Sequence, residues 1–165
     1  MTIKISISLS EAEQKLALFL AKKRYENARS KNITDNKIGS QSNYETDLEG
    51  MAAEIAAARL LNVYPDLQIV NIPTFDLMTN KGHTVDVKVT KYPNGKLLAV
   101  KGKMNDPCDF YMLMIGQCPN YHCAGFASGE DLLSVDTLSD LGRGTGHALT
   151  QDKLMPFTEW DKIFN

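Results

Sequence analysis

The sequence predicts an α/β (α+β) fold in which helices flank a central mixed β-sheet. Three observations predict it: helical periodicity at residues 11–29 and 46–62, a strand of alternating polarity at 83–90, and a nearly continuous apolar strand at 109–115. Of the 165 residues, 43% are hydrophobic and 23% are charged, which is ordinary for a globular protein and argues against disorder. We therefore expect one domain spanning residues 1–165.

The first helix should begin at a capping box formed by Ser10 and Glu13. Its C-terminal part is rich in cations, and each of them alone is explained by the helix dipole. As a group they suggest an arm that contacts phosphate: Lys22, Lys23 and Arg24. The polar, turn-rich residues 30–44 predict a loop.

The second helix should begin at another capping box, Thr46 to Glu49, and end near Asn62. Its many alanines suggest a helix that lies close against a sheet. Glu54 stands among these alanines in mid-helix, where a carboxylate is costly unless it is paired or faces a metal. The alternative is an exposed, helix-forming Glu54, and the sequence leaves both interpretations open.

Residues 67–72 predict a buried strand that leads into a β-hairpin at residues 75–90. In this hairpin the first strand carries Asp76, and the second places Asp86 and Lys88 on one face, about 7 Å apart. Two carboxylates and an ammonium at a sheet edge form a candidate site for a hard divalent cation and an activated water. The alternative is a solvated strand face with a weak surface ion pair.

After the hairpin, the sequence predicts strands at residues 96–101, 109–115 and 121–127. The second of these should be a central strand covered on both faces, and the third its antiparallel neighbour. A short helix near residues 129–133 follows. The remainder of the chain is expected to be rich in loops, with one or two edge elements.

The net charge of −2 is unevenly distributed along the chain. Residues 1–40 and 81–103 carry net charges of +4 and +5, whereas residues 41–80 and 104–165 carry −5 and −6. Two basic segments thus bracket an acidic one, as would suit a polyanion held by its flanks with a metal at the centre, although solvated faces also produce such blocks. Further candidate contacts to nucleic acid are Lys91, Lys101 and Lys103.

Three cysteines, an odd number, favour a reduced cytoplasmic setting over a disulfide framework. The apolar runs are too short to span a bilayer and no secretion leader opens the chain, so we expect a cytoplasmic protein with no membrane partner. Cys118, His122 and Cys123 supply soft ligands for zinc. Their spacing is not that of a paired zinc motif, so small core residues are the better interpretation of the cysteines.

The order of acidic residues and lysine resembles the PD-(D/E)xK, restriction-endonuclease-like, nuclease superfamily. In this chain Glu54 of the alanine-rich helix is followed by Asp76, and then by the strand residues Asp86, Val87 and Lys88. The motif is short, and its value lies in the order, the spacing and the strand placement taken together.

The resemblance covers roughly residues 45–127 as a nuclease-like core, with residues 1–44 as an N-terminal helix and loop and 128–165 as a C-terminal extension. The sequence departs from the family pattern in two places. Pro73 stands three residues before the first aspartate of the motif rather than next to it, and residues 101–108 leave little room for the helix usual at that point.

The resemblance implies a Mg²⁺-dependent endonuclease that hydrolyses phosphodiester bonds in DNA, of the restriction-like or junction-resolving type. Asp76, Asp86 and the Val87 carbonyl would ligate Mg²⁺, or Mn²⁺ as a substitute, and Glu54 would complete the site. Lys88 would orient the attacking water and stabilise charge at phosphorus. A homodimer would suit this activity, since cutting two strands takes two sites. The alternative is a catalytically inactive nuclease-like fold that binds nucleic acid or protein.

Overall fold

The computed structural model describes residues 4–31 and 43–164 of the chain. Residues 32–42, on which most of the loop predicted at 30–44 falls, lie outside the described residues. The described part forms a mixed five-stranded sheet, a smaller three-stranded sheet and helices. This confirms the predicted α+β class.

Eight strands and four α-helices lie in the described residues. The strands are β1 (Ile5–Ser8), β2 (Leu77–Met78), β3 (Thr84–Thr90), β4 (Leu97–Val100), β5 (Phe110–Gln117), β6 (Asn120–Ser128), β7 (Leu138–Asp140) and β8 (Thr145–Leu149). The helices are α1 (Glu11–Ser30), α2 (Asn43–Leu61), α3 (Gly129–Leu132) and α4 (Trp160–Phe164). None of these four helices has both the length and the hydropathy needed to cross a membrane.

The larger sheet has the strand order β1-β6-β5-β3-β2. β3 and β5 run parallel, with Asp86 opposite Tyr111, and the other neighbouring pairs are antiparallel. The predicted central strand and its antiparallel neighbour are thereby confirmed as β5 and β6. The sequence does not predict β1, which is four residues long and covers the free edge of β6.

A parallel pair of strands needs a long crossover, which is commonly a helix. Between β3 and β5 this crossover is made by β4 and a 3₁₀ segment, Lys101–Asn105. β4 does not join the larger sheet but pairs with β8, in a second sheet of order β4-β8-β7. The sequence predicts β4 and one or two later edge elements, but not this second sheet.

Helix α1 confirms its predicted capping box. The Ser10 N–H donates to Oε2 of Glu13 at 2.7 Å, and the Glu13 N–H donates to the Ser10 hydroxyl at 3.2 Å. Helix α2, in contrast, already begins at Asn43, so the capping role predicted for Glu49 is wrong. Glu49 instead accepts a 2.7 Å hydrogen bond from the Tyr121 hydroxyl and thus ties α2 to β6.

The alanines of α2 let the helix approach the sheet closely, as predicted. Four of them are completely buried: Ala52, Ala53, Ala56 and Ala57. They pack with Val85 and Met112, which face the helices from one side of the larger sheet. On its other side Tyr111 and Leu113 pack in a second cluster that includes residues of β4. Both faces of the parallel strands are therefore covered.

The strand predicted at residues 67–72 does not form. Backbone carbonyls in and beside this segment accept hydrogen bonds from α1 side chains instead of from a neighbouring strand. Arg24 donates to the carbonyls of Asp66 and Gln68, at 2.9 and 3.0 Å, and Asn27 donates to that of Ile69 at 3.3 Å. Leu67 and Ile69 pack against the core whereas Val70 and Ile72 are exposed, and α1 supplies the hydrogen-bond donors for these backbone carbonyls.

Candidate functional site

The hairpin of β2 and β3 brings Asp76 next to Asp86. Asp76 directly precedes β2, rather than lying in the strand as predicted, and its N–H donates to the Val85 carbonyl at 3.0 Å. Oδ2 of Asp76 accepts a 2.7 Å hydrogen bond from the Val87 N–H. Because Val87 follows Asp86 in β3, this hydrogen bond holds the two acids close together.

Two ammonium groups contact the carboxylate of Asp86, whose residue is only 3% exposed. The Lys88 ammonium contacts Oδ1, and Nζ of Lys103 lies 2.9 Å from Oδ2. Lys103 also donates to the Thr74 carbonyl at 2.9 Å. Both oxygens of this buried carboxylate are thus paired with a lysine, and a metal ion there would have to share or displace these contacts.

Glu54 of α2 lies against Arg24 of α1. Nη1 of Arg24 donates to Oε2 of Glu54 at 3.2 Å, and the two side chains are only 13–14% exposed. The interpretation of Glu54 as an exposed helix former is therefore wrong. Instead it is a paired and largely buried carboxylate, as its place among alanines suggests.

Burial and neighbouring charge shift the pKa values of two of the three acids. Burial, followed by the charge of Asp86, raises the pKa of Asp76 to about 6, while Lys88 opposes the shift. Burial, followed by the charge of Asp76, raises the pKa of Glu54 to about 8, against the influence of Arg24. Asp76 thus interacts with both of the other acids and lies between them electrostatically.

The six basic residues predicted to contact nucleic acid divide into two groups. Arg24 and Lys103 turn inward and pair with the acids Glu54 and Asp86. The other four are exposed: Lys22, Lys23, Lys91 and Lys101. For these four, contact with nucleic acid stays a prediction.

The atoms that the hairpin offers to a cation are oxygens, as Mg²⁺ prefers. This ion is bound by hard oxygens, commonly one or two carboxylates together with waters and substrate phosphates. Asp76, Asp86 and Val87 meet at the hairpin, and their oxygens are of the kind that Mg²⁺ binds. Within residues 4–31 and 43–164, no group of three or more His, Cys, Asp or Glu side chains is placed to hold a metal. The two carboxylates and the Val87 carbonyl are the oxygen donors that the site offers to such an ion.

The cysteines behave as core residues. All three are free thiols, and Cys108 and Cys123 are buried. Burial raises the pKa of the Cys123 thiol to about 12, although it also donates weakly to the Gly125 carbonyl. A thiol held in this protonated form is poorly suited to zinc, which binds thiolate.

Sequence reasoning does not pair either inward-facing cation with its acid. Arg24 and Glu54 each attract notice, one in a cationic cluster and the other among alanines, but no sequence pattern joins them. Lys103 is expected at a phosphate, whereas it lies on Asp86. The contact depends on the path of the 3₁₀ segment, which no motif specifies.

Comparison with protein-family models, with curated proteins and with solved structures found no match. The function is therefore inferred from the side chains of the site and from their surroundings.

Proposed function

We propose that this protein is a metal-dependent phosphodiesterase that cleaves DNA, an endonuclease of the PD-(D/E)xK, restriction-endonuclease-like kind. One observation carries the proposal: Asp76, Asp86 and Lys88 meet at one hairpin, with Asp86 buried and the Lys88 ammonium against its carboxylate. The pKa of Asp76, raised to about 6, supports it further, because perturbed titratable groups cluster at functional sites.

The chain's own groups would have distinct roles. Asp76 and Asp86, with the Val87 carbonyl, would hold Mg²⁺ or Mn²⁺, and Glu54 would act from α2. When bound, the ion would polarise the phosphate and lower the pKa of a bound water. The Lys88 side chain is 36% exposed, so its ammonium can reach both Asp86 and a substrate in the solvent. It would donate hydrogen bonds to the attacking water and to the phosphate oxygens, where negative charge develops.

The exposed cations support a nucleic-acid substrate. Lys91 follows β3 by one residue, and Lys101 begins the 3₁₀ segment that carries Lys103 to the site. Both follow the two acids in the chain and are exposed, so they are candidates for contacts with DNA phosphates beside the site. Lys22 and Lys23 form a second exposed basic group on α1.

We also propose a cytoplasmic location, in keeping with three free thiols, and a homodimer for cutting both strands. The substrate would be DNA, as for restriction-like or junction-resolving enzymes.

The test incubates purified protein with supercoiled plasmid and with a four-way DNA junction. One set of reactions contains Mg²⁺ in about five- to tenfold excess over chelator, and the other contains chelator alone. Cleavage that needs Mg²⁺ and is lost in Asp86→Asn supports the proposal. Cleavage retained by Asp86→Asn in a preparation free of contaminating nuclease would overturn the assignment of Asp86 to the site. No cleavage of any DNA form, with no heat of Mg²⁺ binding, would overturn the proposal.

One set of contacts favours a second candidate, a catalytically inactive fold that binds nucleic acid or protein. Both oxygens of Asp86 already contact ammonium groups, and Glu54 is paired with Arg24. Such a network can serve structure alone. In that case the exposed lysines would give salt-dependent DNA binding that is unaffected by Asp86→Asn.

A further inference from the structure

A pocket of about 520 Å³ opens where β5 begins and β6 ends. Its walls are mainly apolar and include Met104, Pro107, Phe110 and Leu133. Its polar groups are His83, Asp109 and Glu130. This combination of apolar walls with a few polar groups, at this volume, is typical of a site for a small organic ring system.

The pocket adjoins the carboxylate–lysine site, defined here as Asp76, Asp86, Lys88 and Lys103. Met104 follows Lys103 in the 3₁₀ segment, so one segment contributes to both. Cys108, another pocket residue, donates its N–H to the Tyr111 hydroxyl at 3.0 Å, and Tyr111 lies opposite Asp86 in the parallel pair.

Asp109 also connects the pocket with the carboxylate–lysine site. Its Oδ2 accepts hydrogen bonds from the N–H and the hydroxyl of Thr84, at 2.8 and 3.2 Å. Thr84 and Asp86 alternate with Val85 in β3, so their side chains share one face, roughly 7 Å apart along the strand. The fixed carboxylate is still 53% exposed and can accept a hydrogen bond from a ligand.

The charges of the pocket and of the carboxylate–lysine site indicate which part of a nucleotide each of them would bind. Two carboxylates, Asp109 and Glu130, disfavour a phosphate in the pocket but accept hydrogen bonds from N–H groups on the edge of a base. Lys88 and Lys103 favour a phosphate outside it. An aromatic and apolar wall suits the face of the base, as in enzymes that bind a base taken out of its stack.

We propose that the pocket binds an unpaired nucleobase, guanine before the others, of a DNA strand whose phosphate lies at the carboxylate–lysine site. Guanine has two adjacent N–H donors on its pairing edge, which suit carboxylate acceptors. The inference rests on the proposed phosphodiesterase function and deepens it, because it makes DNA with unpaired bases the substrate class.

The experiment uses the full chain labelled with [¹³C]methyl-methionine, which gives seven methyl signals. Met104 lies in the pocket and is 48% exposed, whereas Met51 and Met112 are buried in the core on the helix side of the sheet. Titration with dGMP should shift the Met104 signal and leave the two core signals in place. Titration with 2-deoxyribose 5-phosphate, which lacks the base, should not shift it.

Two matched variants are then compared by calorimetry with dGMP. Met104→Trp fills the pocket and should weaken binding at least tenfold. Leu18→Trp changes a residue on α1 with the same 48% exposure and should leave binding unchanged. An unshifted Met104 signal, equal shifts with and without the base, or undiminished binding by Met104→Trp would each overturn the proposal.

Plasmid cleavage by the same wild-type preparation distinguishes this inference from the proposed function. Mg²⁺-dependent cleavage without a dGMP-induced shift leaves the phosphodiesterase standing and overturns the base pocket. A shift without cleavage supports the pocket as a nucleotide site and counts against the phosphodiesterase. Faster cleavage of DNA with unpaired guanines by wild type than by Met104→Trp supports both.

Discussion

The Val87 N–H donates a 2.7 Å hydrogen bond to Oδ2 of Asp76, and this bond joins the first acid of the hairpin to the strand that carries the second. The hydrogen bond uses Oδ2 of Asp76 and holds this carboxylate near Asp86. The consequence is electrostatic. Burial, followed by the neighbouring charge of Asp86, raises the pKa of Asp76.

Asp76→Asn should lower the rate of Mg²⁺-dependent cleavage by about 100-fold or more. It should also make the metal-free protein more stable at pH 8. The amide keeps an oxygen for the Val87 N–H but removes a charge whose pKa is raised to about 6. The gain in the free energy of unfolding should be about 1–3 kcal/mol. Urea unfolding in chelator measures it, with the exposed Asp136→Asn as control. A loss of stability in Asp76→Asn alone would contradict the expected burial cost.

The meeting of Asp76 and Asp86 could be predicted from sequence because it depends on a hairpin, whose pairing is set by nearby residues. Helix α1 and strands β5 and β6 are predictable for the same kind of reason, since caps and hydrophobic periodicity act locally. The segment 67–72 has a strand-like pattern too, but its neighbouring carbonyls are taken by Arg24, which lies more than 40 residues earlier. Whether residues 67–72 form a strand therefore depends on how α1 packs against this segment.

The surroundings of the candidate site also depend on packing. Whether Lys103 lies on a phosphate or on Asp86 is set by the 3₁₀ segment Lys101–Asn105, and the partner of Glu54 is set by the contact between α1 and α2. The sequence gives the charge of each of these side chains, but it does not show which oppositely charged group each one contacts.

Lys88→Ala should lower the rate of hydrolysis far more than the affinity for DNA. The ammonium is expected to act where charge develops in the transition state, so a loss of about 100- to 1,000-fold in rate is anticipated. Single-turnover cleavage gives the rate, and fluorescence anisotropy with Ca²⁺ in place of Mg²⁺ gives the affinity. An equal loss in both would assign Lys88 to simple phosphate binding.

Lys103→Met should behave differently, although Lys103 contacts the same carboxylate. Its ammonium, 2.9 Å from Oδ2 of Asp86, competes with any cation there. Its removal should tighten Mg²⁺ binding several-fold by calorimetry. It should also lower stability in chelator by about 1–3 kcal/mol, because a buried carboxylate loses one partner, and Mg²⁺ should restore the loss. Weaker Mg²⁺ binding in this variant would contradict the competition.

Arg24→Met should destabilise the fold by about 3 kcal/mol rather than merely weaken DNA binding. The guanidinium donates to Glu54 and to the carbonyls of Asp66 and Gln68, and removing it leaves these three acceptors without their donor. Lys22→Met is the matched control, since Lys22 is exposed on the same helix and should change stability by no more than about 0.5 kcal/mol. Urea midpoints that coincide for the two variants would return Arg24 to the role of a surface phosphate contact.

Glu54→Gln should flatten the fall in stability that we expect between pH 6 and pH 8. The pKa of Glu54 is raised from an ordinary value of 4.5 to about 8 in the folded state, so the folded protein holds a proton that the unfolded chain has released. Stability from this group is complete below about pH 4.5 and is lost as the pH rises through 8, because the unfolded state then binds fewer protons than the folded one. Asp76, with its pKa near 6, has lost most of its own contribution by then, so the upper window belongs mainly to Glu54.

In that window the wild type should lose about 2 kcal/mol of unfolding free energy in chelator, and Glu54→Gln should lose much less. The difference between the two proteins removes the contribution of the histidines, which they share. Glu130→Gln changes an exposed glutamate and should keep the wild-type slope. Parallel curves for wild type and Glu54→Gln would mean that Arg24 keeps Glu54 ionised at neutral pH, so that α2 presents a negative charge to the site rather than a proton.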